Sequence, residues 1–273
     1  MRLENGRDYF ITISGVHIPS CYGSSIERLY CANTGENKKN GSVTPPHVPS
    51  EIWCIINALY TKSTKKRASS TDGTSTAGTA AAMDCGMDTT GLFIESGDRS
   101  DLALIRHSLD AQQNVIHLNV SAHSLAEALL ELLDSLADTV IPHRFYESLS
   151  TLNHGGSGGG GGSGSGGGTS SGVHTSSSNK AIGKWCQRFL SQLPTMNHNI
   201  LIYLIGFLKE LLQHSNVNHL TVDILSQVFA SSFVRLSYVA KKKELEDAKK
   251  DEKIMMEARR GMKMVLHYFL SQQ

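Results

Sequence analysis

Residues 190–236, LSQLPTMNHNILIYLIGFLKELLQHSNVNHLTVDILSQVFASSFVRL, carry the clearest structural signal in the chain. Apolar residues recur at helical spacing from Asn197 to His214, which predicts an amphipathic helix. The stretch from Thr221 to Phe233 is almost continuously apolar, as expected of a buried central helix. The two segments together predict a helical core. The apolar stripe of the first helix consists of Ile200, Leu201, Leu204, Ile205, Leu208, Leu211 and Leu212.

Helical patterning continues on both sides of this stretch. It covers residues 90–152 and 179–192 upstream, and a further helix begins after Val48 and Pro49 with Ser50 as its candidate N-cap. Downstream, the chain closes with a charged segment that becomes apolar enough to dock on the core. The basic run Lys241–Lys243 in that segment is read as a phosphoinositide patch or, more commonly for such runs, as a solvated helix face.

Segments of low complexity interrupt the helical pattern. Residues 31–47 lack periodicity and are rich in turn-forming residues, which predicts a linker. Residues 61–88 are small and polar, and residues 154–179 are mostly Gly and Ser, so both predict disordered insertions. The second tract resembles an engineered linker, but its irregular flanks suit a natural insertion equally well. Because both flanks of this tract are helical, residues 48–273 are interpreted as a single domain.

Composition excludes several classes of function. A net charge of +1 over 273 residues gives no electrostatic footprint for nucleic acid. The five Cys form no CxxC pair, which fits reduced thiols in an intracellular protein. The twelve His show no metal-ligand spacing, and no stretch is long and apolar enough to span a membrane. The sequence therefore predicts a soluble, intracellular protein that needs no cofactor or metal.

Three segments resemble the motifs of the RhoGAP family. GLFIESGDRSDLALIRHSLD, residues 91–110, is similar to the family's G-(I/L)-F-R-x-S-G loop and the helix that follows it. LAEALLELLDSLADTVIPHRFYESL, residues 125–149, is similar to L-K-x-F-L-R-E-L-P-E-P-(L/V)-I-P-x-x-x-Y. Residues 190–236 resemble the family's L-P-x-x-(H/N) and N-L-A-x-x-F-x-P segments. The resemblance implies a mainly α, RhoGAP-like helical bundle.

The N-terminal stretch narrows the resemblance. DYFITISGVHIPSCYGSSIERL, residues 8–29, is similar to the closing strands of the Ig-like ASH domain in the oculocerebrorenal (Lowe) type inositol polyphosphate 5-phosphatases. In that family a RhoGAP-like domain follows, opening with V-P-x-E-I-W, which residues 48–53 match. Residues 1–30 are therefore expected to be an incomplete β remnant of an ASH domain, left by truncation or by an incomplete gene model. The 5-phosphatase motifs are not found in this sequence, so the catalytic domain is expected upstream in the parent protein.

The catalytic arginine of the RhoGAP family is missing from the quoted loop. The position after Gly91-Leu92-Phe93, where the family places it, holds Ile94. The family's N-L-A asparagine corresponds to Ile224, its later G-P-N turn to residues 230–232 and its P-E-P to residues 137–139. These departures predict that the chain is not an enzyme. The alternative is an active Rho-family GTPase-activating protein that uses a displaced arginine, Arg99.

The resemblance also implies partners. The parent phosphatases use these domains to bind Rab GTPases, Rac or Cdc42 without catalysis, and endocytic adaptors that carry a short Phe-and-His helical peptide. Trp53 is the candidate for the peptide groove, with ordinary core packing as the alternative, and Phe10 is the candidate Rab contact. Such partners would bring the chain from the cytoplasm to endosomes, Golgi and clathrin-coated structures, with membrane contact only through them. A spacer without any partner is the remaining alternative.

Overall fold

Helices make up most of the chain that the structure describes. A computed structural model describes residues 10–13, 16–19, 21–30, 48–69, 86–154, 174–236 and 245–272. The α-helices are α1 Ser50–Ser69, α2 Arg99–Asp110, α3 Ala122–Ser135, α4 Tyr146–His154, α5 His174–Gln192, α6 Thr195–Gln213, α7 Ser215–Asn218, α8 Val222–Phe233 and α9 Leu245–Ser271. Short 3-10 helices lie at Gly86–Asp88, Val115–His117 and His143–Phe145. The predicted mainly helical architecture is confirmed.

The two helices predicted from residues 190–236 form the centre of the bundle. α6 buries the predicted stripe, except that Leu212 is only partly buried and Phe207 joins the buried face. The side chain of Thr221 caps α8 by accepting a hydrogen bond from the backbone N–H of Ile224 at 3.2 Å. Complete burial of an aliphatic or aromatic side chain contributes about 1.5–3 kcal/mol relative to exposure. The buried face of α8 comprises Leu225, Ser226, Phe229, Ala230, Ser232 and Phe233.

The last helix closes the bundle, as its apolar second half predicts. α9 packs mainly against α4 and α8. Its buried residues recur every three to four positions, which is the spacing of one helix face. Lys241–Lys243 lie outside the described residues, so the structure does not bear on the predicted basic patch. The buried face of α9 consists of Met255, Ala258, Met262, Val265, Leu266 and Leu270.

Residues near the predicted N-terminal boundary contact the core of the helical domain. Residues 21–30 were assigned to the ASH remnant, but they pack into the core of the helical bundle. The backbone N–H of Cys21 donates to Asp110 Oδ1 at 2.7 Å, and that of Ala137 donates to the Ser24 carbonyl at 3.0 Å. These contacts form because burial of Ile26 and Leu29, each 3% exposed, removes their apolar side chains from water. The predicted division at residue 30 stays a prediction, and the linker at 31–47 lies outside the described residues.

Two antiparallel strands precede this junction. β1 Phe10–Ile13 pairs with β2 Val16–Pro19, with Phe10 opposite Pro19 and Ile13 opposite Val16. The strand predicted from DYFITI is present as β1. Whether the hairpin derives from an Ig-like ASH domain stays a prediction.

Helices extend into both segments that were predicted as insertions. α1 extends to Ser69, and Gly86 and Met87 are buried in a 3-10 helix, although residues 61–88 were predicted to be disordered. α4 extends to His154, and α5 begins at His174, inside the segment predicted as a second insertion at 154–179. Nucleation is the costly step of helix formation, so small and polar residues can extend a helix that has already formed. Residues 70–85 and 155–173 lie outside the described residues.

One glycine of α9 is required by packing. A Cβ added at Gly261 would collide with the backbone carbonyl of Leu149 in α4. Because the opposing atom belongs to the backbone, rotation of a side chain cannot relieve the collision. α9 and α4 therefore depend on this glycine for their close approach.

We expect Gly261→Ala to destabilise the protein by about 1–3 kcal/mol, the usual effect of overpacking. The matched control is Gly206→Ala in α6, where an added Cβ meets no atom of the described chain within 4 Å. That change should stabilise the helix by about 0.5–1 kcal/mol. Chemical denaturation of both variants measures the difference, and equal effects of the two substitutions would contradict the packing role of Gly261.

Candidate functional site

The loop between the first 3-10 helix and α2 has an unusual backbone. Gly91 has a φ of 72° and Phe93 a φ of 68°, both in the left-handed region. The backbone N–H groups of Ile94 and Glu95 donate to the Gly91 carbonyl at 2.9 and 3.0 Å, which closes a tight turn. A bulky residue such as phenylalanine is rarely left-handed, so tertiary contacts must hold this conformation.

Aromatic packing supplies those contacts. The ring of Phe93 meets the rings of Phe229 and Phe207 edge to face, with centroids 5.1 and 6.1 Å apart. Phe93 is 6% exposed and the neighbouring Leu92 is fully buried. Edge-to-face pairs contribute about 0.5–1.5 kcal/mol beyond burial alone. The turn is thus anchored at once to α6 and α8.

The anchored turn presents the next side chain to solvent. Ile94 is 59% exposed, although it is a branched aliphatic residue. Its side chain carries neither a charge nor a hydrogen-bond donor. The loop therefore holds residue 94 outward in a fixed position but gives it nothing with which to stabilise a developing negative charge.

The far end of the loop is fixed to α3. The backbone N–H of Gly97 donates to Glu127 Oε2 at 2.6 Å, and that of Asp98 donates to Ser124 Oγ at 3.0 Å. A Cβ added at Gly97 would collide with the backbone of Ser124. The loop is thus held at both ends, by rings at one end and by hydrogen bonds at the other.

Arg99, the candidate displaced arginine, belongs to α2 rather than to the loop. It is the first residue of that helix, directly after the N-cap Asp98, whose side chain accepts hydrogen bonds from the N–H groups of Ser100 and Asp101. Arg99 is exposed and lines an open groove on α2 together with Arg106. The cap fixes the backbone of Arg99 five residues beyond Ile94.

A second segment borders the loop on its other side. Thr90 Oγ1 donates to the carbonyl of Val217 at 3.3 Å, and His214 Nδ1 lies 2.5 Å from Asp88 Oδ1. Val217 is 53% exposed, so this segment presents an apolar side chain to solvent close to Thr90. Sequence reasoning missed Val217, because a lone apolar residue in a polar turn gives no periodic signal.

The other positions that depart from the RhoGAP motifs contribute to the packing of the helical bundle. Ile224 lies in the first turn of α8 and packs against the core. Residues 230–232 are helical rather than a turn. At 137–139, the side chain of Asn197 donates to the carbonyls of Thr139 and Val140 at 3.3 and 2.9 Å. These positions therefore serve the packing of the bundle.

The two predicted partner-binding residues lie apart from the loop in the sequence. Trp53 is partly buried on α1, and it does not belong to the apolar core cluster that Cys54 and Tyr60 of the same helix contact. Phe10 begins β1. Both remain predictions as binding residues.

Candidate metal sites and membrane-spanning helices are absent from the described part of the chain. No group of three or more His, Cys, Asp or Glu side chains there is placed to hold a metal ion. No helix among these residues is long and apolar enough to cross a membrane.

Asp98 gives the stability of the loop a pH dependence. Hydrogen bonds from the side chain and backbone of Ser100 and from the backbone of Asp101 lower the pKa of the Asp98 carboxyl below 3.8. A lowered pKa adds stability that is present above the unfolded-state value and is lost as the pH falls through the folded-state value. Wild type should therefore lose more stability between pH 6 and pH 3 than Asp98→Asn, since asparagine caps a helix equally well but does not titrate. Thermal unfolding midpoints of both proteins at the two pH values measure this, and parallel losses would contradict it.

The chain is similar to known proteins in sequence and in fold. Residues 80–238 match the family described as the RhoGAP domain. The chain is 26% identical to the Mus musculus type II inositol 1,4,5-trisphosphate 5-phosphatase, in an alignment covering 93% of this chain and 22% of that protein, so it spans about a fifth of this relative's length. Among solved structures, human Rho GTPase activating protein 15 has the same fold, with a TM-score of 0.53, 16% identity, and coverage of 90% of this chain and 89% of that one. With more than half of its residues matched, the chain belongs to the RhoGAP domain family.

Proposed function

We propose that the chain is a catalytically inactive RhoGAP-like interaction module of an inositol polyphosphate 5-phosphatase. In this role it binds Rho- and Rab-family GTPases and adaptor peptides, and thereby places phosphoinositide dephosphorylation on endosomal and Golgi membranes. The observation that carries the proposal is Ile94, exposed on a loop whose backbone is fixed at both ends.

The loop supports binding without catalysis. An arginine that stabilises the charge developing in phosphoryl transfer is worth on the order of 10³–10⁵ in rate. Isoleucine at position 94 offers none of this stabilisation, while the packing of Phe93 preserves the shape of the surface. An exposed apolar side chain such as Ile94, on a loop that is hydrogen-bonded at both ends, suits a protein–protein contact.

Arg99 is poorly placed to restore catalysis. Moving its backbone toward position 94 would require breaking the Asp98 cap and the hydrogen bond from Gly97 to Glu127. Because catalysis depends on positioning to within about an ångström, a residue tied to a different element is a weak substitute.

The relationship to the phosphatase supports the proposed context. The similar mouse protein acts, by its name, on inositol 1,4,5-trisphosphate, and this chain aligns with about a fifth of it. The β1–β2 hairpin would be the end of an ASH domain, with Phe10 as the Rab contact. Rab and adaptor binding would recruit the cytoplasmic protein to endosomes, Golgi and clathrin-coated structures.

Single-turnover GTP hydrolysis by Rac and Cdc42 tests the loss of catalysis. We expect the chain to accelerate hydrolysis less than about tenfold, because no group at position 94 lowers the barrier by the roughly 1.4 kcal/mol that a tenfold effect needs. Arg99→Ala should behave like wild type. A larger acceleration that disappears in Arg99→Ala would establish the displaced-arginine alternative.

Peptide capture tests the adaptor role of Trp53. Phe-and-His peptides immobilised on beads should retain the intact protein and lose Trp53→Ala, since truncation of a central aromatic residue typically costs about 2 kcal/mol or more in binding. The matched control is Trp185→Ala on α5, which removes an indole that stacks on Phe189 within the bundle. Equal retention of wild type and Trp53→Ala would contradict the role of Trp53.

A further inference from the structure

The outward face of α9 forms a continuous ridge. One face of this helix is buried in the bundle, so the opposite face points away from it. The outward residues recur every three or four positions from residue 249 to residue 267, which is the spacing of one helix face. At 1.5 Å per residue this ridge is about 27 Å long. The α9 ridge consists of Lys249, Lys253, Met256, Arg260 and His267, which are exposed, and Met264, which is half-buried.

The charges of the α9 ridge are all of one sign. Three of its six residues are lysine or arginine, and none is acidic. Glu252 is exposed, but it lies about 80° around the helix from the centre of the ridge. Asp251 and Glu257 are half-buried. The ridge therefore presents positive charge outward, with the acidic side chains of this part of α9 to the side.

The stability of the fold does not explain this composition. Lys249 and Lys253 are four positions apart, where like charges destabilise a helix. Met256 is 45% exposed, so much of its apolar surface gains nothing from burial. A solvated helix face commonly alternates charges of both signs, which the ridge does not do. Its composition therefore suits a contact outside the bundle.

A cavity of about 300 Å³ lies at the C-terminal end of the ridge. The helices beside it approach closely, because a Cβ added at Gly183 would lie 2.5 Å from Tyr268 Oη. Apolar side chains form much of the cavity wall, and cationic or titratable side chains from the same turns of α9 share it. It is lined by Ile182 of α5 and by Lys263, Met264, His267 and Tyr268 of α9.

We propose that the α9 ridge is a surface by which the chain contacts an anionic lipid bilayer directly. Lys249, Lys253 and Arg260 meet the lipid phosphates, Met256 inserts between the headgroups, and the cavity takes up an apolar part of one lipid. This contact goes beyond recruitment by GTPases and adaptors and does not depend on it, because the ridge needs neither partner to reach the lipid.

The chemistry of the ridge selects this occupant. Basic side chains and exposed apolar side chains on one face are typical of helices that lie at a membrane interface. A nucleic acid or an acidic peptide would match the positive charges but would leave the apolar cavity unused. An anionic lipid supplies a negative headgroup and an apolar body together. A straight ridge that faces outward can also meet a flat bilayer along its whole length.

Lys263 adds a cation to the cavity end of the ridge. Its Nζ lies 3.9 Å from Asp223 Oδ1, and both side chains are substantially exposed, at 38% and 75%. An exposed ion pair at this distance contributes little, so Lys263 can turn from Asp223 to a lipid phosphate at small cost.

Cosedimentation of the whole chain with vesicles tests the charge. Vesicles of equal parts phosphatidylcholine and phosphatidylserine should bind the chain, and phosphatidylcholine alone should bind it weakly, with salt reducing the difference. Arg260→Gln should lower the affinity about fivefold, the usual effect of one cation near an anionic surface. Arg99→Gln removes the same charge at an exposed position of α2 and should leave the affinity within about twofold of wild type. Both variants keep Lys241–Lys243, so that run cannot account for a difference between them.

Met256→Ser tests the apolar part of the contact. It should weaken binding to the same anionic vesicles about threefold at low and at high salt, because it removes apolar surface rather than charge. The matched control is Leu104→Ser on α2, where the leucine is 44% exposed, and it should bind like wild type. Thermal unfolding midpoints of all four variants should stay close to that of wild type, since the four positions are exposed.

Three results would overturn the proposal. The first is a wild-type chain that does not sediment with the anionic vesicles. The second is equal weakening by Arg260→Gln and Arg99→Gln, which would assign the attraction to overall charge rather than to the ridge. The third is binding of a polyglutamate peptide that Arg260→Gln abolishes, with no vesicle binding, which would make the ridge a docking face for an acidic protein. The vesicles contain neither GTPase nor adaptor, so each of these results leaves the proposed function standing.

Discussion

The packing of Phe93 against Phe207 and Phe229 is the contact on which the loop that carries Ile94 depends. It holds a phenylalanine in the left-handed region, fixes the turn after Gly91 and joins the loop to α6 and α8. Without these rings the turn would relax toward a commoner backbone conformation, and residue 94 would have no defined direction. The same contact therefore stabilises the bundle and presents the surface.

The backbone of the loop and the chemistry of its exposed side chain, Ile94, are separate properties of this molecule. The backbone of the loop depends on the buried residues Leu92 and Phe93, which the bundle needs for its own stability. The exposed side chain of Ile94 is free of that requirement, so it is the position where chemistry can change without loss of the fold. The proposed change from catalysis to binding follows from this separation.

The glycines of the bundle differ in how closely a neighbouring backbone approaches them. Gly97 and Gly261 lie where a neighbouring backbone leaves no room for a Cβ, and these contacts bring the loop onto α3 and α9 onto α4. Gly206 meets no neighbour and faces outward from α6. A glycine that the fold requires and one that meets no neighbour look alike in sequence, and only their surroundings separate them.

The sequence by itself determined the helical core and the family resemblance, because apolar periodicity and short motifs are local properties. It did not indicate the contacts of residues 21–30 with the helical core or the extension of helices into both predicted insertions. Ile26 and Leu29 are buried against distant helices, and α1, α4 and α5 continue into small and polar residues. Both features depend on contacts or anchors outside each segment. The contact of Val217 with Thr90 was likewise decided only by the tertiary structure, since the two residues come from segments far apart in the chain.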